Sequence, residues 1–156
     1  MGWLKKEPKG WTCTKRGFPP AKLRMATEKE VESLRNAAEK CVEVIERAIG
    51  IRLDYSQESL SKLDDLIEVH WAGMDPPEGF KGEIVVMGAF LGECINRNFG
   101  SHWVFDESNQ WFGVEKEDVA TVSPFNKVEK RFYEGRSHCL ETLYEFFESQ
   151  SERTAG

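Results

Sequence analysis

Glu93 stands four residues before Arg97 inside the stretch Gly88-Ala-Phe-Leu-Gly-Glu-Cys-Ile-Asn-Arg97. A carboxylate in so apolar a segment must reach water, take a proton or meet a partner. On a helix, an acid one turn before a base is the favourable orientation for an ion pair. At the edge of a core, the two residues would form such a pair and organise the fold. Lining a cleft, Glu93 would act as general acid or base and Arg97 would hold a carboxylate or phosphate. One isolated carboxylate does not make a reaction centre, so the structural reading has precedence.

Lys127, Lys130 and Arg131 form a second polar cluster, because positions 127 and 131 share a helical face and 130 lies beside them. Such a cluster suits an acidic partner or an anion, although a short amphipathic helix often carries a solvated face of this kind. Trp103, with Trp111 and Phe112, could add an aromatic platform; the alternative is that large aromatics fill the angle between a small sheet and its helices. His70, His102 and His138, supplemented by Cys94 or Cys139, invite a metal hypothesis. No two of them have a familiar ligand spacing, since adjacent His138 and Cys139 point apart, so neither a metal nor any other cofactor is expected. A nucleophilic role for Cys94 conflicts with its place in a core-like helix. The glycines at 88 and 92 belong to a helix interior, not to a phosphate-binding turn.

These groups have to be positioned by an α+β fold of about five helices and a small two- or three-stranded antiparallel sheet. Thr27 and Glu30 form a capping-box pattern ahead of a helix whose stripe is Val31, Leu34, Ala38, Cys41, Ile45, Ala48 and Ile49, with Gly50 as its stop. Ser56 caps a second helix carrying Leu60, Leu63, Ile67 and Trp71. The central helix spans approximately 81–98 and is apolar nearly all round, which places it inside the domain. Gly88 and Gly92 lower its helix propensity, so their missing side chains should admit another backbone.

Beyond Gly100, the runs at 102–105 and 111–114 read as a hairpin, with a third strand at 119–122. Ser123-Pro124 starts a short helix with Phe125, Val128 and Phe132 inward and the three basic residues elsewhere. Ser137 opens the last helix, carrying Leu140, Leu143, Tyr144 and Phe147, and residues 151–156 should fray.

A length of 156 residues with 40% apolar and 31% charged side chains suits one hydrophobic core. Residues 24–150 form the expected domain and residues 1–23 a flexible basic arm. Residues 1–26 carry seven basic groups against Glu7, a net +6, which leaves −12 for the remainder of a chain whose total is −6. An acidic body disfavours nucleic acid and anionic membranes. The absence of a long apolar run and of a signal-peptide pattern points to the cytoplasm, where the four single cysteines would stay reduced.

Taken together, Leu53-Asp-Tyr-Ser56, Glu58-Ser-Leu60, Leu63-Asp64, Gly88-Ala-Phe-Leu-Gly-Glu93, Trp103 and Pro124-Phe-Asn-Lys-Val-Glu-Lys-Arg131 resemble an uncharacterised domain family found mainly in bacteria. The resemblance spans roughly residues 51–147 and implies a compact domain with no named reaction; where the family commonly has an aromatic residue in the central motif, this chain has Phe90. The functional expectation is a non-enzymatic binding or regulatory module, recognising a protein through surface aromatic and charged groups. The alternative is a small enzyme using Glu93 as acid or base and Arg97 as anion holder.

Overall fold

The computed structural model describes residues 20–155, with side chains through residue 152. Residues 1–19, most of the expected basic arm, lie outside the described residues, as does Gly156. The order is β1 (Leu23–Met25), α1 (Glu28–Ile49), α2 (Gln57–His70), α3 (Lys81–Phe99), β2 (His102–Asp106), β3 (Trp111–Lys116), β4 (Ala120–Val122), α4 (Pro124–Glu134), a 3-10 turn (Arg136–His138) and α5 (Glu141–Ala155). This is the α+β fold read from the sequence: the described residues form five α-helices and a small antiparallel sheet.

The sheet is four-stranded in the order β1-β2-β3-β4. Its extra strand, β1, is only three residues long, and its two apolar residues, Leu23 and Met25, are exposed, so nothing local marks it as part of the core. It is held from elsewhere: Leu23, Arg24 and Met25 pair with Asp106, Phe105 and Val104. The Lys22 amide donates to Asp106 Oδ1 at 3.0 Å. The same oxygen accepts from the Ser108 and Asn109 amides, so one buried carboxylate shapes the β2–β3 turn and anchors the start of β1.

The cap signals act where the sequence places them. Thr27 and Glu30 form the reciprocal capping box, Ser56 Oγ accepts from the Ser59 amide, and Ser123 Oγ accepts from the Asn126 amide. The start of the last helix differs. Ser137 falls in the 3-10 turn, and α5 begins at Glu141 because Asp64 of α2 accepts from the Leu140 and Glu141 amides at 2.9 and 3.2 Å. A carboxylate more than seventy residues away in sequence replaces the local cap, and it also favours the positive end of the helix dipole. The helix continues through Ala155, across positions whose composition suggests fraying.

Helix α3 is the centre of the molecule, contacting α1, α4, α5 and the sheet, with Met87 to Ile95 all buried. Its glycines admit side chains more than backbone. A Cβ at Gly92 would collide with the Trp103 indole, and one at Gly88 would meet the Phe125 ring and come within 3.0 Å of the Phe125 Cα. The spacing of four residues therefore cuts two notches in one helix face, each filled by an aromatic ring.

Candidate functional site

The indole that fills the Gly92 notch brings its N–H to the carboxylate one residue further on. Trp103 Nε1 donates to Glu93 Oε2 at 2.9 Å, with both groups buried. Glu93 Oε1 accepts from Arg97 Nε at 3.1 Å, and Arg35 Nε of α1 stands 3.8 Å from the same oxygen. Access is divided unevenly, since the Glu93 side chain is 3% exposed while those of Arg97 and Arg35 are 44% and 64% exposed. A buried acid thus holds two bases that reach water. The expected ion pair is present, and it has a third member that the sequence did not reveal.

Tyr55 fixes the other face of Arg97, whose guanidinium carbon lies 3.7 Å from the ring centroid in a cation–π contact. The tyrosine adopts a φ of 65°, a left-handed conformation uncommon for a bulky side chain. It is held there from several sides: its hydroxyl donates to Glu39 Oε1 at 2.6 Å, its carbonyl accepts from Asn98 Nδ2 at 2.8 Å, and its ring lies against Phe90. Burial, then the Glu39 carboxylate, raises the phenol above its usual range. Beside it, Asp54 is lowered to about 2 by hydrogen bonds from Ser56 and then Ser59. The segment Leu53-Asp-Tyr-Ser56 is therefore a rigid support for Arg97.

Glu93, Trp103, Arg97 and Arg35 line a cleft of about 500 Å³ formed by residues of β1, α1, α3 and the start of β2. Arg35, Asn96, Arg97 and His102 supply polar lining, and Met25, Ala26, Val31 and Trp103 apolar lining. Among the described residues, no acceptor meets the Arg35 guanidinium within hydrogen-bond distance, the two terminal nitrogens of Arg97, or Asn96 Nδ2. Asn96 Oδ1 is taken by the Ser101 hydroxyl, which turns the amide nitrogen into the remaining function of that side chain. Sequence reasoning missed Arg35 and Asn96: one sits on the polar side of α1, the other beyond the apolar run of α3, and only tertiary packing joins them.

The fold is shared with a bacterial protein. A crystal structure from Bacteroides thetaiotaomicron VPI-5482, at 1.50 Å resolution, matches with a TM-score of 0.62 and 17% sequence identity over 87% of this chain and 49% of that one. The chain thus spans about half the length of that protein, and the likeness is one of fold. No family model and no curated protein matches the chain.

The second basic cluster has a different character. Residues 127 and 131 do share a face, but that face is internal. Arg131 is 1% exposed; its Nε donates to Asp64 Oδ1 at 3.0 Å, and its Nη2 donates to the Asp64 carbonyl and to Glu68 Oε1 at 2.9 and 3.0 Å. Asp64 in turn caps α5, so one arginine and one aspartate tie α2, α4 and α5 together. Lys127 is also buried and Lys130 is half-buried. The buried residues of α4 are therefore Pro124, Asn126, Lys127, Val128 and Arg131, while Phe125 and Phe132 are only half-buried. An apolar periodicity cannot identify a buried arginine whose partner lies on another helix.

The remaining candidates separate in space. Trp103 is internal, whereas Trp111 and Phe112 line a second, largely apolar groove of about 650 Å³ with Leu34, Ile84, Val85 and Phe125. His102 pairs with Glu115 at 3.3 Å and His138 with Glu134 at 3.3 Å, while His70 packs edge-on against Trp71. Among the described residues, no three His, Cys, Asp or Glu side chains converge for a metal. Cys41 and Cys94 are enclosed, and burial raises both thiols, that of Cys41 to about 12, the opposite of what a nucleophile requires. No helix of the described residues is long and apolar enough to cross a membrane.

Proposed function

We propose that the chain is a non-enzymatic binding module and that its ligand, an anion, enters the cleft beside Arg35 and Arg97. The observation that carries this reading is the division of labour around Glu93. Both carboxylate oxygens already accept from groups of the chain, while the arginines gathered by that carboxylate present unused donors to the cleft. A group engaged in this way organises the site and is poorly placed to exchange a proton with a substrate. Guanidinium and amide N–H groups are the donors that oxyanions select. The acidic body repels polyanions as a whole, which favours a small anion or one carried on a neutral partner over nucleic acid.

Thermal melting of the full chain in acetate, phosphate or sulfate, against chloride at matched ionic strength, tests the reading. A bound anion stabilises the native state by mass action, and the Arg35→Gln variant controls for non-specific salt effects. The expected outcome is a rise in Tm with at least one oxyanion that is larger in the native chain than in Arg35→Gln. Equal responses in the two proteins for every oxyanion would overturn the proposal.

A further inference from the structure

We propose that the anion taken by the Arg35–Arg97 cleft is a monocarboxylate bearing an apolar substituent, an assignment that rests on the anion-binding reading above. With His102 counted as neutral, the formal charges in the lining are positive on Arg35 and Arg97 and negative on Glu93, leaving a single net positive charge. A monoanion balances that charge, whereas a dianionic phosphate would leave surplus negative charge beside the buried Glu93 carboxylate. The available donors are planar groups, namely the terminal nitrogens of Arg97, the Arg35 guanidinium and the Asn96 amide. Paired N–H groups of this kind match the planar, two-oxygen edge of a carboxylate.

The apolar part of the lining sets the rest of the ligand. Met25, Ala26, Val31 and Trp103 offer no charge, and the Trp103 indole N–H is already given to Glu93. A substituent lying along them gains by burying apolar area and has no hydrogen bond to satisfy. A volume of about 500 Å³ holds a small molecule or the last residues of a polypeptide. Either a free organic acid or the C-terminal carboxylate of a protein presents this chemistry.

The test is a titration of the full-length, isotope-labelled chain followed by NMR at the Trp103 Nε1–H and Arg97 Nε–H signals. The probes are hexanoate, acetate, inorganic phosphate, and N-acetyl-leucyl-leucine as free acid and as amide. Hexanoate should shift both signals saturably and bind more tightly than acetate and phosphate. Removing one charged donor by Arg35→Gln should weaken hexanoate by about tenfold. Because the Arg35 side chain is 64% exposed and makes no hydrogen bond to the described residues, this variant should keep the fold even if Arg97→Gln does not. Tighter binding of the peptide acid than of hexanoate assigns the carboxylate to a polypeptide terminus, and the reverse order assigns it to a free acid; the amide should not bind. Phosphate binding more tightly than hexanoate, or acetate binding as tightly, overturns the monocarboxylate assignment while leaving an anion site. No response at either signal to any anion overturns both proposals.

Discussion

Glu93 and Arg131 are both charged side chains enclosed by apolar neighbours, but their partners face opposite ways. Around Glu93 the acid is buried and its bases extend into a cleft, one 44% and the other 64% exposed. Around Arg131 the base is buried, and of its two acidic partners Asp64 is itself 5% exposed. Arg131 joins α4 to α2, and Asp64 passes the connection to the α5 amides. The first arrangement leaves donors for a ligand, while the second consumes them within the fold. Burial of a charge alone therefore does not separate a site from a scaffold; what separates them is whether the partners keep unused donors beside a cleft.

The sharpest way to break this comparison is Arg131→Met. The change removes the only cation that meets Asp64 among the described residues and leaves a buried carboxylate with backbone donors alone. Removing one partner of a buried pair costs roughly 3 to 5 kcal/mol. Urea unfolding should show a loss of that size. A loss below about 1 kcal/mol, the range of exposed pairs, would place Arg131 with the surface arginines instead.

Glu93→Gln is expected to cost less, on the order of 1 to 3 kcal/mol, because the exposed arginines regain water when the carboxylate is neutralised. The Trp103 N–H can still be accepted by the glutamine carbonyl. Combining it with Arg97→Met in a double-mutant cycle isolates the pair from the indole contact. A coupling energy indistinguishable from zero would show that Glu93 does not act through Arg97, and Arg97 would then lose its stated reason for lying beside the cleft.

The same contrast explains what could be read from the residues. The Glu93–Arg97 pair was legible because both members lie on one helix at a spacing of four, and the caps of α1, α2 and α4 were legible because each is local. Gly88 and Gly92 marked a buried close approach, though their neighbours proved to be the rings of Phe125 and Trp103. Most features that escaped depend on distant chain segments: the Asp64 cap of α5, the β1 strand tied to Asp106, the inward turn of Arg131, and Arg35 arriving from α1. Periodicity reports which face of an element is apolar. It carries no information about which buried polar group on another element will meet that face.

The smallest expected effect concerns the support under the cleft. Asp54 Oδ1 accepts from Ser56 Oγ and Ser59 Oγ at 2.5 and 2.6 Å, and these bonds hold its carboxyl at about 2, below the ordinary value near 4. A carboxylate whose folded value is depressed adds stability that is present above about pH 4 and is lost as the pH falls toward 2. Because Asp54 is exposed, screening by water reduces the contribution to at most about 1 kcal/mol. Asp54→Asn should therefore lower stability slightly at pH 7 and flatten the stability profile between pH 4 and pH 2. If the segment supports Arg97 through Tyr55 as its geometry indicates, the same variant should also loosen Arg97, seen as a weaker Arg97 Nε–H signal shift on adding hexanoate. Should the acid-range profile of Asp54→Asn match that of the native chain, the serine bonds do not hold the carboxyl in solution, and the rigidity of the Tyr55 support would rest on Glu39 and Asn98 instead.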